Sequence, residues 1–308
     1  MISSTAVSVV IPSIGRASLR RAVESALQQT APPGEVIVVM DRDVEPDLPD
    51  SDSIRVLKTS GGEGPSIAKH IGVSSAKGDL IALLDDDDVW RLNKLEMQLA
   101  AAPPGREWIV SCRVVMHEDG RQPITGPHTP IRPDEPIATY MFEFRSPRPR
   151  QFRWLNVPTL VFPREIAQRV PLSISAGSIH EDPEWLIEVQ RELPNLRIIQ
   201  LPEPLVDVNF TPGSISRPGV DRSTEYIEWG CRALADQSSR VRGDYMLTSP
   251  VASAMKVGSF RGVGRSMVAG VRSGRPGAWA WVYAVTAIMR IVWRRTRNIA
   301  ARAAERLR

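Results

Sequence analysis

Through residues 6–101, short unbroken apolar runs alternate with stretches whose apolar positions recur at helical spacing. Ala6–Ile11 (AVSVVI) reads as a buried strand stopped by Pro12 and Gly15. Arg16–Leu27 then places Leu19, Val23, Ala26 and Leu27 on one helical face. Glu35–Met40 (EVIVVM) is a second strand, Ile54–Leu57 a short third, and Leu80–Leu84 a fourth. A Gly-rich turn at Ser60–Gly64 leads to Pro65, which fits the first position of a helix, where the N–H it lacks would have no partner. Arg91–Ala101 is a further helix, closed by Pro103, Pro104 and Gly105. Alternation with crossovers this long predicts parallel pairing, hence an α/β fold with a doubly wound, mostly parallel sheet.

The texture changes at Trp108. Trp108–Met116 reads as a strand and Glu118-Asp119-Gly120 as a turn. Residues 121–150 are rich in Pro and Arg without periodicity and read as a long surface loop, made basic by Arg145, Arg148 and Arg150, with Arg153 just beyond. Its arginines are either a solvated face or a contact for an anionic acceptor. Thr159–Phe162 is a strand and a short helix follows from Arg164. His180-Glu181-Asp182-Pro183-Glu184-Trp185 then opens a helix whose first-turn acids suit the helix dipole. Arg197–Gln200 and Leu205–Phe210 read as two strands separated by Pro202 and Pro204, before a small polar loop, Thr211–Ser216, able to approach a phosphate. These breaks give three segments: 1–105, 106–225 and a helical, basic extension at 226–308.

Chemistry enters at the fourth strand, which delivers Asp85, Asp86, Asp87 and Asp88 in succession. Four adjacent carboxylates repel one another, so a strand end keeps them only if they are well solvated or a cation sits among them. Their hard oxygens suit Mg²⁺ or Mn²⁺ carried in with a substrate phosphate. Ser13, Asp41, Lys69 and Asp85–Asp88 all fall at or just past C-terminal strand ends, where open α/β sheets hold nucleotides. No G-x-G-x-x-G follows the first strand and no G-x-x-x-x-G-K-[ST] occurs, so neither a dinucleotide cofactor nor a P-loop is indicated.

Apolar content of 42% and charged content of 24% are those of a globular protein. Cys112 and Cys231 lack metal or disulfide spacing, which predicts reduced thiols and a cytoplasmic setting, and the N-terminus has no basic region of a secretory signal. Charge is unevenly spread. Residues 240–308 carry 14 Lys and Arg against Asp244 and Glu305, a net of +12, so residues 1–239 hold −8 of the total +4. A basic tail on an acidic body can meet anionic lipid, nucleic acid or a protein.

Four blocks together resemble family 2 glycosyltransferases, inverting enzymes of the GT-A fold that use nucleotide-diphosphate sugars. VSVVIPSIGR is similar to the family's opening strand, and EGPSIAKHIGVSSAKGDLIALLDDDDVWRLNKLEMQ to its central block. HEDPEWL is similar to its Glu-Asp motif and LPEPLVDVNFTPGSIS to its closing segment. The resemblance spans residues 7 to about 217 in the family's order. It implies that Pro12, Ser13, Asp41, Lys69, Asp85 and Asp86 bind the nucleotide sugar, with Ser13 and Asp41 at the base and Asp85 at the ribose. It implies Asp87 as ligand of the Mn²⁺ or Mg²⁺ that bridges the diphosphate, a role that one register step would shift to Asp86 or Asp88. Asp182 would be the catalytic base, with Glu181 and Trp185 on the acceptor side. Two departures stand out. Met40-Asp41-Arg42-Asp43 replaces the family's usual Asp-Asp-Gly-Ser, and Lys69-His70 its Arg-Asn, which keeps the charge but loses the guanidinium fork.

The expected activity is transfer of a sugar to a glycan or lipid-linked acceptor in cell-surface polysaccharide or glycolipid assembly, with no nucleic-acid partner. A nucleotidyltransferase would need a glycine-rich loop after the first strand, which Pro12-Ser13-Ile14-Gly15-Arg16 does not supply. The rival is a non-catalytic nucleotide-sugar-binding relative acting as sensor or scaffold. The altered second loop and Lys69-His70 favour that rival; Asp87 and Asp182 oppose it. In the tail, Pro276–Met289 is too short to span a bilayer. A helix from Ala278 would instead carry Trp279, Trp281, Val282, Val285, Ile288, Met289, Val292 and Trp293 ahead of Arg290, Arg294, Arg295 and Arg297. Tryptophans beside arginines predict peripheral contact with the inner face of the cell membrane; the alternative is a helix packed against the catalytic domain or a second subunit, with its arginines solvated.

Overall fold

The computed structural model describes residues 6–118, 120–146, 153–172, 179–210 and 220–306, with side chains up to residue 297. The chain packs as two units. The first comprises Met1–Ile137 and Phe152–Pro212, the second Ala138–Gln151 and Gly213–Arg308.

Among the described residues, the first unit is built on one sheet of nine strands: β1 (Val7–Ser13), β2 (Glu35–Met40), β3 (Ile54–Lys58), β4 (Leu80–Leu83), β5 (Val89–Trp90), β6 (Trp108–Glu118), β7 (Ile124–Gly126), β8 (Val161–Pro163) and β9 (Arg197–Phe210). Their order is β3-β2-β1-β4-β8-β6-β9-β5, with β7 on β6. The run from β3 to β4 is parallel, as the crossovers require. β8 is antiparallel to β4 and β6, while β6 and β9 pair parallel along their whole length. Helices α1 (Leu19–Leu27), α2 (Pro65–Ser74), α3 (Lys94–Ala101), α5 (Arg164–Arg169) and α6 (Glu181–Glu192) belong to the same unit. Every residue of β1, β2 and β4 is buried, so these strands read as unbroken apolar runs rather than alternating ones. Val9, Ile11, Val36, Val38 and Ala82 meet Leu19, Val23 and Ala26 of α1 and Leu95 of α3 in the core.

Two expectations are corrected here. Residues 121–150 are not one loop: they contain β7 and α4 (Ile137–Phe142). Both elements are too short to show a period, and α4 is held by Phe142, which packs edge-on to Trp229 and Tyr245. The two strands expected around Pro202 and Pro204 are a single strand, β9. The β6–β9 register shifts on either side of Arg113, which pairs with Pro204, and this irregularity accommodates prolines that cannot donate to a ladder. The sheet also runs through residue 105 without dividing, because β6, β8 and β9 join the strands that precede it. Arg148, Arg150 and the Thr211–Ser216 loop lie outside the described residues.

The second unit is helical: α7 (Ser223–Ala233), α8 (Ser239–Val257), α9 (Phe260–Ser273) and α10 (Ala278–Arg306), with most of α4. The hydroxyls of Ser238 and Ser259 cap α8 and α9 by accepting from the N–H groups of Val241 and Gly262. Buried Asp244 accepts from the N–H groups of Phe144 and Gly277 and from Arg240, all at 2.7–2.9 Å, and so ties three separate segments together. No helix among the described residues is long and apolar enough to cross a membrane.

Candidate functional site

Because β1 lies between β2 and β4 in parallel, the three C-terminal ends deliver Ser13, Asp41 and the aspartate run to one edge of the sheet. Pro12 is buried within β1 opposite Val39 and contributes backbone there. The Ser13 hydroxyl donates to Asp86 at 2.6 Å, and the Arg16 guanidinium pairs with the same carboxylate while lying 3.9 Å from Asp87. Arg16 therefore bridges the first loop to the acidic run. From the far end of the chain, Asn209 donates its backbone N–H to Asp88 at 2.9 Å and its amide to the Asp87 carbonyl at 2.8 Å. The four aspartates thus occupy four different settings. Asp86 and Asp88 are buried on protein partners, while Asp85 and Asp87 keep partial access to solvent.

Asp41 organises the Gly-rich turn. Its carboxylate accepts from the Thr59 hydroxyl at 2.5 Å and from the N–H groups of Glu63 and Gly64 at 2.9 and 2.8 Å. These bonds outweigh its burial and hold its pKa below the usual carboxylate value. They also fix where α2 begins, since Gly64, with φ of 89°, is the residue before Pro65. Helix α2 then presents Ser66 and Lys69 on one face. Ser66 donates to Glu181, and the Lys69 ammonium donates to Asp182 Oδ1 at 2.7 Å. The base expected at Asp182 is thereby joined to the edge that carries the aspartates. His180, in the left-handed conformation at φ of 56°, turns the chain into α6 so that Glu181 and Asp182 lead that helix.

Charge is densely coupled across this edge. Burial alone would lower Lys69, but Asp182 and Asp85 beside it raise its pKa, so it stays an ammonium. Asp85 is pushed up to about 7, chiefly by burial and then by Asp182, Asp87 and Asp86, with Lys69 opposing. Asp88 is raised well above the ordinary value by burial and by Asp85. Burial also raises Glu181, against the bond from Ser66. Such a cluster holds carboxylates that an incoming cation would deprotonate and bind.

No three His, Cys, Asp or Glu side chains among the described residues are arranged as a ready metal cage. Mg²⁺ does not require one, because it is commonly held by one or two carboxylates plus substrate phosphates and water. Partly exposed Asp87, with Asp85 beside it, fits a divalent ion of that kind. Trp185 is buried, its indole donates to the Val170 carbonyl at 2.8 Å, and its ring packs on Phe162. It anchors α6 in the core. Arg145 and Arg153 pair with Glu143 and Glu135. Three residues of the edge escaped the sequence reading. Arg16 was visible as the cation closing the first loop and Ser66 as the residue three before Lys69, whereas nothing local marks Asn209.

Residues 8–168, more than half of the chain, match the family described as glycosyl transferase family 2. A Haemophilus influenzae protein described as an uncharacterized glycosyltransferase is 27% identical over 79% of this chain and 83% of its own length. An Escherichia coli protein is 34% identical over 30% of this chain and 40% of its own. It is named UDP-Glc:alpha-D-GlcNAc-diphosphoundecaprenol beta-1,3-glucosyltransferase WfgD. Most of the curated relatives are spanned over less than half of their length. Among solved structures, S. aureus TarS 1–349 in complex with UDP-GlcNAc aligns with a TM-score of 0.52 and 15% identity, over 85% of this chain and 81% of that one.

Proposed function

Because the chain belongs to glycosyl transferase family 2 and has the GT-A fold, we propose that it is an inverting hexosyltransferase. On this reading it moves a sugar from a nucleotide-diphosphate donor to a hydroxyl of a glycan or lipid-linked acceptor, on the cytoplasmic side. The observation that carries it is the Lys69–Asp182 pair, which seats a carboxylate beside the aspartates at the end of β4. Asp182 takes the proton from the acceptor hydroxyl as that oxygen attacks the anomeric carbon, and the nucleoside diphosphate leaves from the opposite face. Lys69 engages Oδ1 and so steers the carboxylate; on this reading Oδ2 is the oxygen that takes the proton. Ser13, Asp41 and Asp85 border the nucleoside. Asp87, with Asp85 at its side, would hold Mn²⁺ or Mg²⁺, which supplies charge stabilisation to the departing diphosphate. Arg16, already poised between Asp86 and Asp87, neutralises the same region from the protein side. A uridine donor and a lipid-linked acceptor are supported by what the E. coli relative is named for, and a UDP-sugar donor by the ligand bound to TarS.

The test is release of nucleoside diphosphate from a panel of UDP- and GDP-sugars, with Mn²⁺ and with EDTA, in the wild type and in Asp182→Asn. The wild type should release it slowly even to water, and only with metal. The variant should keep donor binding by calorimetry while turnover falls by roughly two to four orders of magnitude, the range for a lost general base. A wild type that binds a donor tightly yet never turns over would instead establish the sensor reading. Full activity of the variant would move the base elsewhere, with Glu181 the first candidate.

A further inference from the structure

In the second unit, α10 is apolar on two opposite sides. Ala280, Ala284, Ala287 and Ile291 are buried against Leu247, Val251 and Ala254 of α8 and Val263 of α9. At about 100° per residue, the side facing away from that core carries Trp279, Val282, Val285, Met289, Val292 and Trp293. All six are exposed, Met289 by 65% and Trp293 by 61%. Val268 and Val271 of α9 are exposed too, and of the fourteen large exposed hydrophobics among the described residues, ten lie between Val257 and Trp293. A helix that needed only to complete the core would have polar residues on that outer side. Here the concentration of apolar surface marks an interaction face.

Its charges say what covers it. Residues 245–304 contain no Asp or Glu. Exposed Arg290 and Arg297 border the stripe at helical spacing, exposed Arg272 and Arg275 precede α10, and Arg294 and Arg295 donate to the carbonyls of Lys256 and Gly258 at the end of α8. Arg297 lies over the Trp293 ring at 4.8 Å and Arg295 over Phe260 at 4.7 Å, so guanidinium groups sit against the aromatic rings. A second copy of this chain would bring arginine against arginine at a twofold contact. We propose that the outer side of α10, with α9, lies in the interface of an anionic lipid bilayer. Trp279 and Trp293 sit at headgroup depth, Val282, Val285 and Met289 enter the acyl boundary, and the arginines meet lipid phosphates. The stripe extends about 20 Å along the helix, which suits a helix lying in the plane of the membrane. This inference concerns where the protein works and stands apart from the transfer chemistry proposed above.

The test uses the full chain and the double variant Val285→Glu/Met289→Glu, whose two sites are exposed and leave the buried alanine face intact. Flotation is run with phosphatidylcholine vesicles, with and without about 30% phosphatidylglycerol, at low and high salt. The wild type should rise with the anionic vesicles, release at high salt, and show a blue shift in tryptophan emission. The double variant, with an unchanged Tm, should remain at the bottom. A wild type that fails to float at low salt, or a variant that floats equally well, overturns the proposal. So does a wild-type dimer in light scattering that the variant breaks while no vesicle binding occurs, since that outcome makes the stripe a chain–chain interface. Nucleoside diphosphate release from a soluble donor, followed in both proteins, separates failure here from failure of the transferase reading.

Discussion

At the scale of single residues, sequence and structure part company over what each charged group does. Four consecutive aspartates are indistinguishable in the chain, yet Asp86 meets Ser13 and Arg16 while Asp88 meets Asn209. The carboxylates were legible because they follow an apolar run; their partners were not, because they come from distant positions. Lys94 is a sharper case. It was read only as a residue of a helix, but it is fully buried, its ammonium lies 3.9 Å from the centre of the Trp90 ring, and it has no hydrogen-bond partner among the described residues. Burial pulls its pKa down to about 7, far below the roughly 10.4 of an unfolded chain. Between these values the unfolded state binds more protons, so this group's contribution to stability rises with pH from about 7 towards 10. Below pH 7 the cost of burying the cation is present in full, offset only by the ring. Lys94→Met, close in volume, should therefore raise Tm at pH 6, with the gain shrinking as pH approaches 10. A difference that does not vary with pH would show that Lys94 is not buried as a titrating ammonium.

At the scale of elements, α2 links the sheet to the candidate base. It starts where Asp41 fixes the Gly-rich turn, presents Ser66 and Lys69 to the start of α6, and rests on β1 and β2 through Gly72. A Cβ at Gly72 would lie 2.4 Å from a methyl of Val10 and 3.1 Å from one of Val39, both fully buried, so α2 sits as low on the sheet as a glycine permits. Pro65 and the apolar spacing made this helix legible, but the reason for Gly72 appears only once the strands beneath it are known. The two prolines of β9 misled in the opposite direction, since the extra residues that accommodate them, Pro202, Glu203 and Leu205, show as a bulge only when β9 is paired against β6. Gly72→Ala should destabilise the fold by about 1–3 kcal/mol, the usual cost of overpacking. It should also displace Lys69 from Asp182, so that transfer falls further than donor binding does. Unchanged denaturation midpoint and kinetics would mean that α2 shifts without consequence for the base.

At the scale of the whole molecule, sequence texture divides the chain at residues 105 and 225, whereas packing gathers 138–151 with everything from 213 onward. Texture follows local composition, and a short apolar segment such as Tyr140–Phe142 joins a distant core without altering composition around it. The tail illustrates the same limit. Its tryptophans and arginines predict an interfacial helix from sequence, but which side of that helix is spent on the protein was not legible, because alanine has too little hydrophobic character to mark a buried face. That buried face makes α10 part of the second unit's core rather than an appendage. A chain ending at Gly274 would uncover Leu247, Val251, Ala254 and Val263 together, roughly the loss of several large-to-small core substitutions at once. Such a chain should bind more of a hydrophobic dye than the intact protein does, and the backbone amides of α8 should exchange with solvent far faster. Removing the tail would then abolish vesicle binding for the wrong reason, by unfolding the helices around it, which is why substitutions confined to the outer stripe are the informative comparison. If the shortened chain instead keeps the α8 amides protected, α10 is dispensable to the core, and its alanine face serves only to orient the stripe.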